Sequence, residues 1–366
     1  MWLTQLDAVG WRNHLSTQVA FTEGITTLVG PNGQGKTNIV EAIRYLATLG
    51  SHRVSGTTAL IGDTLDQATL HAIVRHHERS VDVGVTLKRK GAAEAVINGS
   101  KAKMSAIPAW VSMVMFAPED IAIIRGEPGV RRQFMDDLVM SGLPRMAGVY
   151  QDFEKVLRQR NTLLKGLRAV KTPSSLSTLD VWDERLADLG AEIVVARNHY
   201  LSAILAGVTE QYQHLAGGDT VSLQYVSSAP GAGDDVRENL AVSMAARRPD
   251  EIERGMTLVG PHRDDVDISI SGRLGRTHAS QGETWSLALS LRLATAQWLR
   301  QELSSGDPII ILDDVFSELD TTRRSHLVGL VKDYQQLIIT SAVEEDIPSS
   351  LSGAIFDVKE GVVSPR

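Results

Sequence analysis

The sequence predicts an α/β fold, in which a domain with a mixed β-sheet, built from both termini, is joined to a second, mostly helical domain. Three observations carry the prediction. Residues 25–29, 30–37 and 38–46 read in turn as buried strand, glycine-rich loop and amphipathic helix. Residues 308–312 form a short apolar run that leads into Asp313 and Asp314. Between these two features, from about residue 129 to 215, strand-like alternation gives way to helical periodicity.

Taken in order, the first 115 residues are mostly β. Strand candidates are residues 3–9, 18–21, 25–29, 68–74, 81–88, 95–97 and 111–116, and Asn98-Gly99 is a hairpin turn. Tyr150, Phe153, Leu157, Leu164 and Leu167 mark the apolar face of one helix, and Leu186, Leu189, Ile193, Val194 and Leu201 that of another. Residues 171–175 break the first helix from the second, and residues 230–234 are a loop. Strand alternation returns at 266–270, followed by a long helix at 283–303 and the strand at 308–312. The expected domains are therefore 1–115 with 305–366, a P-loop domain built from both termini, and 116–304, a helical domain.

Gly30-Pro31-Asn32-Gly33-Gln34-Gly35-Lys36-Thr37 matches the G-x-x-x-x-G-K-[ST] pattern without a gap. The glycines let the backbone curl until several N–H groups face one phosphate, and the helix N-terminus adds its partial positive charge there. Lys36 would reach the β- and γ-phosphates of a nucleoside triphosphate, and the Thr37 hydroxyl would sit on Mg²⁺. The run ending in Asp313 has the form of a Walker B strand, with Asp313 the metal partner of Thr37. Asp314 follows it and would face the attacking water, where it would act as general base.

Ser280-Gln281-Gly282-Glu283 opens the helix that precedes this strand. A Ser-x-Gly turn at a helix start offers a hydroxyl, N–H groups and a dipole to an anion. Spacing equally allows a plain capping box between Ser280 and Glu283. Two further segments also stay open. Arg53 is either a ligand-contacting or a solvated arginine, and His262-Arg263 is either a phosphate contact or a local turn in which Asp264 pairs Arg263.

With 37 Lys+Arg against 44 Asp+Glu the net charge is −7, which argues against a protein that coats nucleic acid through bulk charge. Local basic stretches remain. Lys88, Arg89, Lys90, Lys101 and Lys103 cluster near the hairpin, and Arg158, Arg160, Lys165, Arg168 and Lys171 line the helical region. Each set is either a contact for DNA phosphates or an ordinary solvated face. The chain has no cysteine, so disulfides and thiolate chemistry are excluded. Residues 1–7 lack the basic start and apolar run of a secretory signal. The longest nearly apolar stretch, 107–117, falls well short of the ~20 residues that span a bilayer and reads as a buried strand. The expected location is the cytoplasm.

The order of P-loop, Ser280-Gln281-Gly282-Glu283, Asp313-Asp314 and Ser317-Glu318-Leu319-Asp320 resembles the ABC-type ATPase heads of the SMC and double-strand-break-repair families. Trp11-Arg12-Asn13-His14, Ser51-His52-Arg53, the stretches 116–120 and 126–136, and Gly260-Pro261-His262-Arg263-Asp264-Asp265 narrow the match. With them the chain closely resembles the RecF family of bacterial recombination mediators, from residue 3 to about 345.

The resemblance implies ATP and Mg²⁺ as cofactors and a head-to-tail homodimer that sandwiches two nucleotides. The signature Ser280, Gln281 and Gly282 of one subunit would cap the γ-phosphate on the P-loop of the other, with Asp320 in the D-loop. Arg53 would touch the nucleotide or the partner subunit, and Glu119, at the Q-loop position, would join the Mg²⁺–water network. The implied activity is a slow, DNA-dependent ATPase at single-strand gaps and junctions, which with RecR and RecO helps RecA load. Two departures stand out. Glu283 occupies a position where glutamine is expected, and Ser341-Ala342 lies where a switch histidine belongs, leaving Thr340 or Ser341 as its substitute. The rival readings are a transporter ATPase subunit, which would need a membrane partner, and a structural SMC-like clamp, which would need a long coiled coil.

Overall fold

The structure, a computed structural model, describes all residues except 52, 55, 170–172, 231–234 and 304–305, together with the side chains of 169 and 173–176. The expected break at 171–175, the expected loop at 230–234, the domain boundary at 304–305, His52 and Lys171 fall largely or wholly on these positions and lie outside the described residues.

Two compact units are present, the first formed by Met1–Ile121, Ala206–Thr220 and Ser280–Arg366. Its central sheet places Gly24–Val29 between Gln336–Ser341 and Ala354–Lys359, and continues through Ile309–Asp313 to Met113–Phe116. Those strands are parallel, and Val362–Pro365 adds an antiparallel edge, so the sheet is mixed as expected. The continuous apolar run at 309–312 is explained by cover on both faces. Ile309 and Ile311 enter one core with Leu28, Ile39 and Ile43, whereas Ile310 and Leu312 enter a second with Trp285, Leu289 and Leu327. A second, antiparallel sheet contains Trp2–Trp11, His14–Ala20, Gln67–His76, Arg79–Lys88, Glu94–Ile97 and Ser100–Ala102. Asn98 and Gly99 join its last two strands with φ +50° and +74°, the left-handed pair that a tight type I′ hairpin needs.

One strand is shorter than expected. Residues 104–110 form a 3₁₀ helix, and only Met113–Phe116 is extended. Pro108, inside that 3₁₀ segment, has no N–H to give a sheet ladder.

The second unit comprises Ala122–Leu205 and Val221–Ala279. Its helices include Pro128–Gly142, Met146–Ala169, Val236–Arg254 and the part of Pro173–Ala216 up to Leu205, with a small antiparallel sheet of Val221–Val226, Asp265–Ile270 and Arg273–Leu274. Leu164, Leu167, Leu179 and Ile252 pack together. Arg160 is fully buried and donates to Asp183 at 2.6 Å, Glu251 at 2.6 Å and the Thr257 hydroxyl at 2.8 Å. It is a structural cation, which corrects both readings of it, as a DNA contact and as part of a solvated face.

The division into units differs from the one expected. Residues 280–304, 206–220 and 116–121 fall with the P-loop, so the signature motif lies in the first unit. The cause is packing. The helix Gln281–Glu302 puts Trp285, Leu289, Leu293, Ala296 and Leu299 into the same core as Ile310 and Leu312. Among the described residues no helix is long and apolar enough to cross a membrane.

Candidate functional site

The P-loop leaves Gly24–Val29 and enters the helix Lys36–Thr48 through Gly35, whose φ of +116° no residue with a side chain adopts without strain. A Cβ on Gly30 would lie 2.2 Å from Val358 O, so the loop passes against the neighbouring strand in a way only glycine allows. Lys36 Nζ donates to Gly30 O at 2.5 Å and Pro31 O at 3.1 Å. Burial pulls the ammonium's pKa down, and the nearby Asp314 and Asp313 oppose that shift.

Thr37 and Asp313, far apart in sequence, meet here. Thr37 Oγ1 donates to Asp313 Oδ1 at 3.1 Å, and Thr340 Oγ1 donates to the same oxygen at 2.5 Å. Asp313 is 3% exposed, and its carboxyl is pushed up to about 6. Burial is the main cause; the two hydroxyls resist it, while Glu119 and Asp314 add to it. A buried carboxyl pushed up in this way, beside a hydroxyl and a second carboxylate, offers the hard oxygen donors that suit Mg²⁺. Of the expected metal set, Thr37 and Asp313 are hydrogen-bonded, and Glu119 is near enough for its charge to act on Asp313. Asp314 follows with φ +54°, and its N–H donates to Thr340 O at 3.2 Å. Burial raises its pKa and Lys36 opposes the rise.

Asn32, Gly33, Gly35, Lys36, Thr37, Asn38, Arg53 and Asp314 line a cavity of about 330 Å³. Arg53 donates to Asn38 Oδ1 at 3.1 Å, so the arginine that sequence left open lies in the wall. Lys36, a glycine-rich loop, a threonine hydroxyl and the Asp314 carboxylate in the cavity wall, with Asp313 bonded to Thr37, can hold a polyphosphate with its cation and orient a water at the terminal phosphate.

The signature turn and Asp320 are joined by a residue that sequence reasoning passed over. Arg323 donates to Gly282 O and the Ser286 hydroxyl, both at 3.0 Å, and pairs with Asp320. Its backbone N–H also donates to Asp320 Oδ1 at 2.9 Å, capping the helix Thr321–Val331. The only signal for it was the i, i+3 spacing from Asp320. The capping box is formed, with Glu283 N donating to Ser280 Oγ at 3.3 Å and Ser280 N to the Glu283 carboxylate at 2.7 Å. A glutamate is therefore at ease where glutamine was expected. Of the two switch candidates, Thr340 touches Asp313, whereas Ser341 turns its hydroxyl to Val343 O at 2.7 Å.

The segment 11–14, noticed in sequence without a role, braces the loop. Trp11 Nε1 donates to Asn38 O at 2.9 Å, and Asn13 Nδ2 donates to Gln34 O at 3.1 Å. Arg12 donates with both ends of its fork to the buried Glu41, which also receives the Ser51 hydroxyl at 2.5 Å.

Several basic candidates are spoken for. Arg89 donates to the carbonyls of Leu65, Gly62 and Asp63 at 2.5, 2.8 and 3.0 Å, so it ties down a loop and is not available to DNA. Lys88 pairs with Glu94 at 2.6 Å. Lys90, Lys101 and Lys103 are exposed. Arg263 donates to Thr257 O at 3.1 and 2.8 Å. The Asp264–Arg263 pair, one of the two readings left open for this turn, is not formed, because Asp264 accepts from Tyr225 OH at 2.5 Å and Ser228 N at 2.6 Å. Burial pushes His262 down to about 4, so it is neutral near pH 7 and a poor phosphate cation.

A family model described as RecF/RecN/SMC N terminal domain matches residues 2–358. The DNA replication and repair protein RecF of Streptomyces avermitilis is 44% identical over 372 residues, covering 99% of both chains. RecF of Clavibacter sepedonicus is 41% identical over 376 residues, covering 96% of this chain and 92% of its own. A solved structure of the recombination mediator protein RecF-ATP in the RecFOR pathway superimposes with a TM-score of 0.89 at 28% identity, covering 100% of this chain and 97% of that one. A crystal structure of the Smc head bound to the C-winged helix domain of ScpA has a TM-score of 0.56 at 17% identity, covering 100% and 97%, a likeness of fold. The chain belongs to the RecF/RecN/SMC N-terminal domain family, with an ABC-type ATPase head fold and RecF proteins as full-length relatives.

Proposed function

We propose that this protein is an ATP-dependent DNA-binding protein of recombinational repair and replication restart. It binds single-strand gaps and single-strand–duplex junctions and, with RecO and RecR, helps RecA load. The observation that carries the reading is the Thr37–Asp313 hydrogen bond at 3.1 Å, which joins the P-loop to the Walker B strand at the end of a cavity sized for phosphates. Lys36 and the backbone N–H groups of residues 32–37 hold the β- and γ-phosphates. Thr37 and Asp313, with Glu119 beyond them, hold Mg²⁺, which when bound neutralises phosphate charge. Asp314 orients the attacking water and accepts its proton, and Arg53 contacts the nucleotide from the wall.

Ser280, Gln281 and Gly282 act in trans. With Asp320 they cap the γ-phosphate of a second subunit, so hydrolysis is slow, depends on dimerisation and responds to DNA. The protein works in the cytoplasm. DNA contacts fall on the exposed Lys90, Lys101 and Lys103, and binding weakens steeply with salt because each phosphate contact releases counterions.

Ser280→Arg tests the composite site. A bulky side chain there blocks the sandwich, so ATP still binds each monomer while dimerisation, turnover and ATP-stimulated DNA binding fail together. Sedimentation with ATP and Mg²⁺ reads the outcome. If Ser280 were only a helix cap, the variant would lose ~0.5–2 kcal/mol of stability yet keep dimer and turnover, and the trans role would be refuted.

A further inference from the structure

We infer that His14 and the hairpin turn at Glu360-Gly361 are positioning elements for the P-loop, setting its affinity for nucleotide from outside the cavity. The inference rests on the nucleotide reading above. His14 is fully buried. Its Nε2 lies 3.0 Å from Gly35 O, and its Nδ1 lies 2.9 Å from Gly361 O and 3.0 Å from Thr17 Oγ1. Gly35 O and Gly361 O can only accept, so a ring nitrogen that carries a proton donates to the carbonyl it faces, and the ring bridges the P-loop to the hairpin. The Thr17 hydroxyl, 2.6 Å from Gly361 O, ties the other side of the ring to the hairpin. The hairpin grips the loop directly as well. Gly361 N donates to Gln34 O at 3.0 Å, and Glu360 N donates to Gln34 Oε1 at 2.7 Å.

Peptide geometry gives these contacts a consequence. In a planar trans peptide the C=O of one residue and the N–H of the next point in opposite directions. Holding Gln34 O therefore orients Gly35 N–H, and holding Gly35 O orients Lys36 N–H. Gly35 and Lys36 line the cavity, and N–H groups of successive loop residues are what the nucleotide reading needs there to bind an anion. The Gly35 carbonyl also accepts the first helical bond, from Ile39 N at 3.1 Å. The Gln34 carbonyl receives no helical bond, and its donors are Gly361 N and Asn13 Nδ2. Phosphate affinity thus depends on a clamp drawn from both ends of the chain.

Two variants attack the clamp from opposite sides. His14→Ala removes the bolt. Gly361→Ala forces the hairpin away, because its Cβ would lie 2.3 Å from Asn13 O and the residue has φ +78°. ATP affinity by titration and turnover at saturating ATP are measured on the full chain, with Lys36→Met alongside. Both variants are expected to raise the ATP Kd ~10- to 100-fold, the scale of lost outer-shell support, with a smaller loss in turnover at saturation. Far-UV circular dichroism should remain that of wild type. A merely structural role would lower melting temperature and leave Kd in the folded protein unchanged, which would overturn the inference. Should His14→Ala not fold, Gly361→Ala decides, since it alters only a turn between two strands at the sheet edge. If Lys36→Met binds ATP as wild type does, the nucleotide reading itself fails. If Lys36→Met loses ATP while both clamp variants keep it, the clamp alone is wrong.

Discussion

The nucleotide cavity and the buried arginines of the helical unit are built from the same residue types and put them to opposite uses. Around Arg160 the guanidinium meets two carboxylates and a hydroxyl, and Glu251 spends its other oxygen on Leu258 N at 2.7 Å. Arg197 is similar, forking onto Asp136 at 2.8 and 3.0 Å and donating to Pro261 O at 2.7 Å. In the cavity Lys36 donates to two backbone carbonyls, and the carboxylates near it take their hydrogen bonds from hydroxyls and amides. Asp313 has a raised pKa chiefly because it is buried, with the neighbouring carboxylates Glu119 and Asp314 adding to the rise. Charges satisfied among themselves hold a fold together. Charges held apart beside a cavity are ready for a ligand.

The largest effect is expected where the charges are satisfied. Arg160→Met strands Glu251, which has no exposed surface, and leaves Asp183 short of a donor. Removing one partner from a buried ion network costs about 3–5 kcal/mol. Denaturant unfolding should show a loss on that scale, with ATP affinity of the folded protein retained. A loss of less than ~1 kcal/mol would mean that the network is not the buried ionic system described.

A smaller, purely kinetic effect is expected from Asp314→Asn. Asparagine tolerates the left-handed φ of +54°, so the backbone is kept and only the carboxylate proposed as general base is lost. Turnover should fall ~10²-fold with ATP binding intact. Wild-type turnover in this variant would move the base elsewhere.

The smallest effect has the opposite sign. Asp313 has a folded pKa of about 6 against 3.8 unfolded, so the native state holds its proton more tightly across that window. Stability without nucleotide or Mg²⁺ should therefore fall as pH rises from about 4 to 6, by on the order of 1–3 kcal/mol. Asp313→Asn should remove that slope and be the more stable protein above about pH 6. Parallel pH profiles for the two proteins would show that Asp313 pays no burial penalty.

Much of the site was legible because its parts obey local rules. The glycines, Lys36 and Thr37 are contiguous, and Asp313 ends a strand whose apolar run betrays cover on both faces. What escaped were the residues whose partners lie far along the chain. Asn13 and His14 look like an ordinary polar turn until Gln34, Gly35 and Gly361 are beside them. Arg89 and Arg160 look like surface cations, because nothing in their neighbourhood announces the carbonyls and carboxylates that claim them.

By itself, then, the sequence determined the strand–loop–helix at residues 25–48, the carboxylate pair at the end of the Walker B strand, the helix that starts at the signature turn, and the family. Each follows from backbone sterics, apolar periodicity or an uninterrupted motif. Tertiary structure alone decided that the signature helix joins the P-loop unit and that Arg323 links it to Asp320. It also decided which cations are spent and how the P-loop carbonyls are clamped. Hydrogen bonds between residues hundreds of positions apart depend on where the sheet brings the chain back, and no local pattern encodes that return.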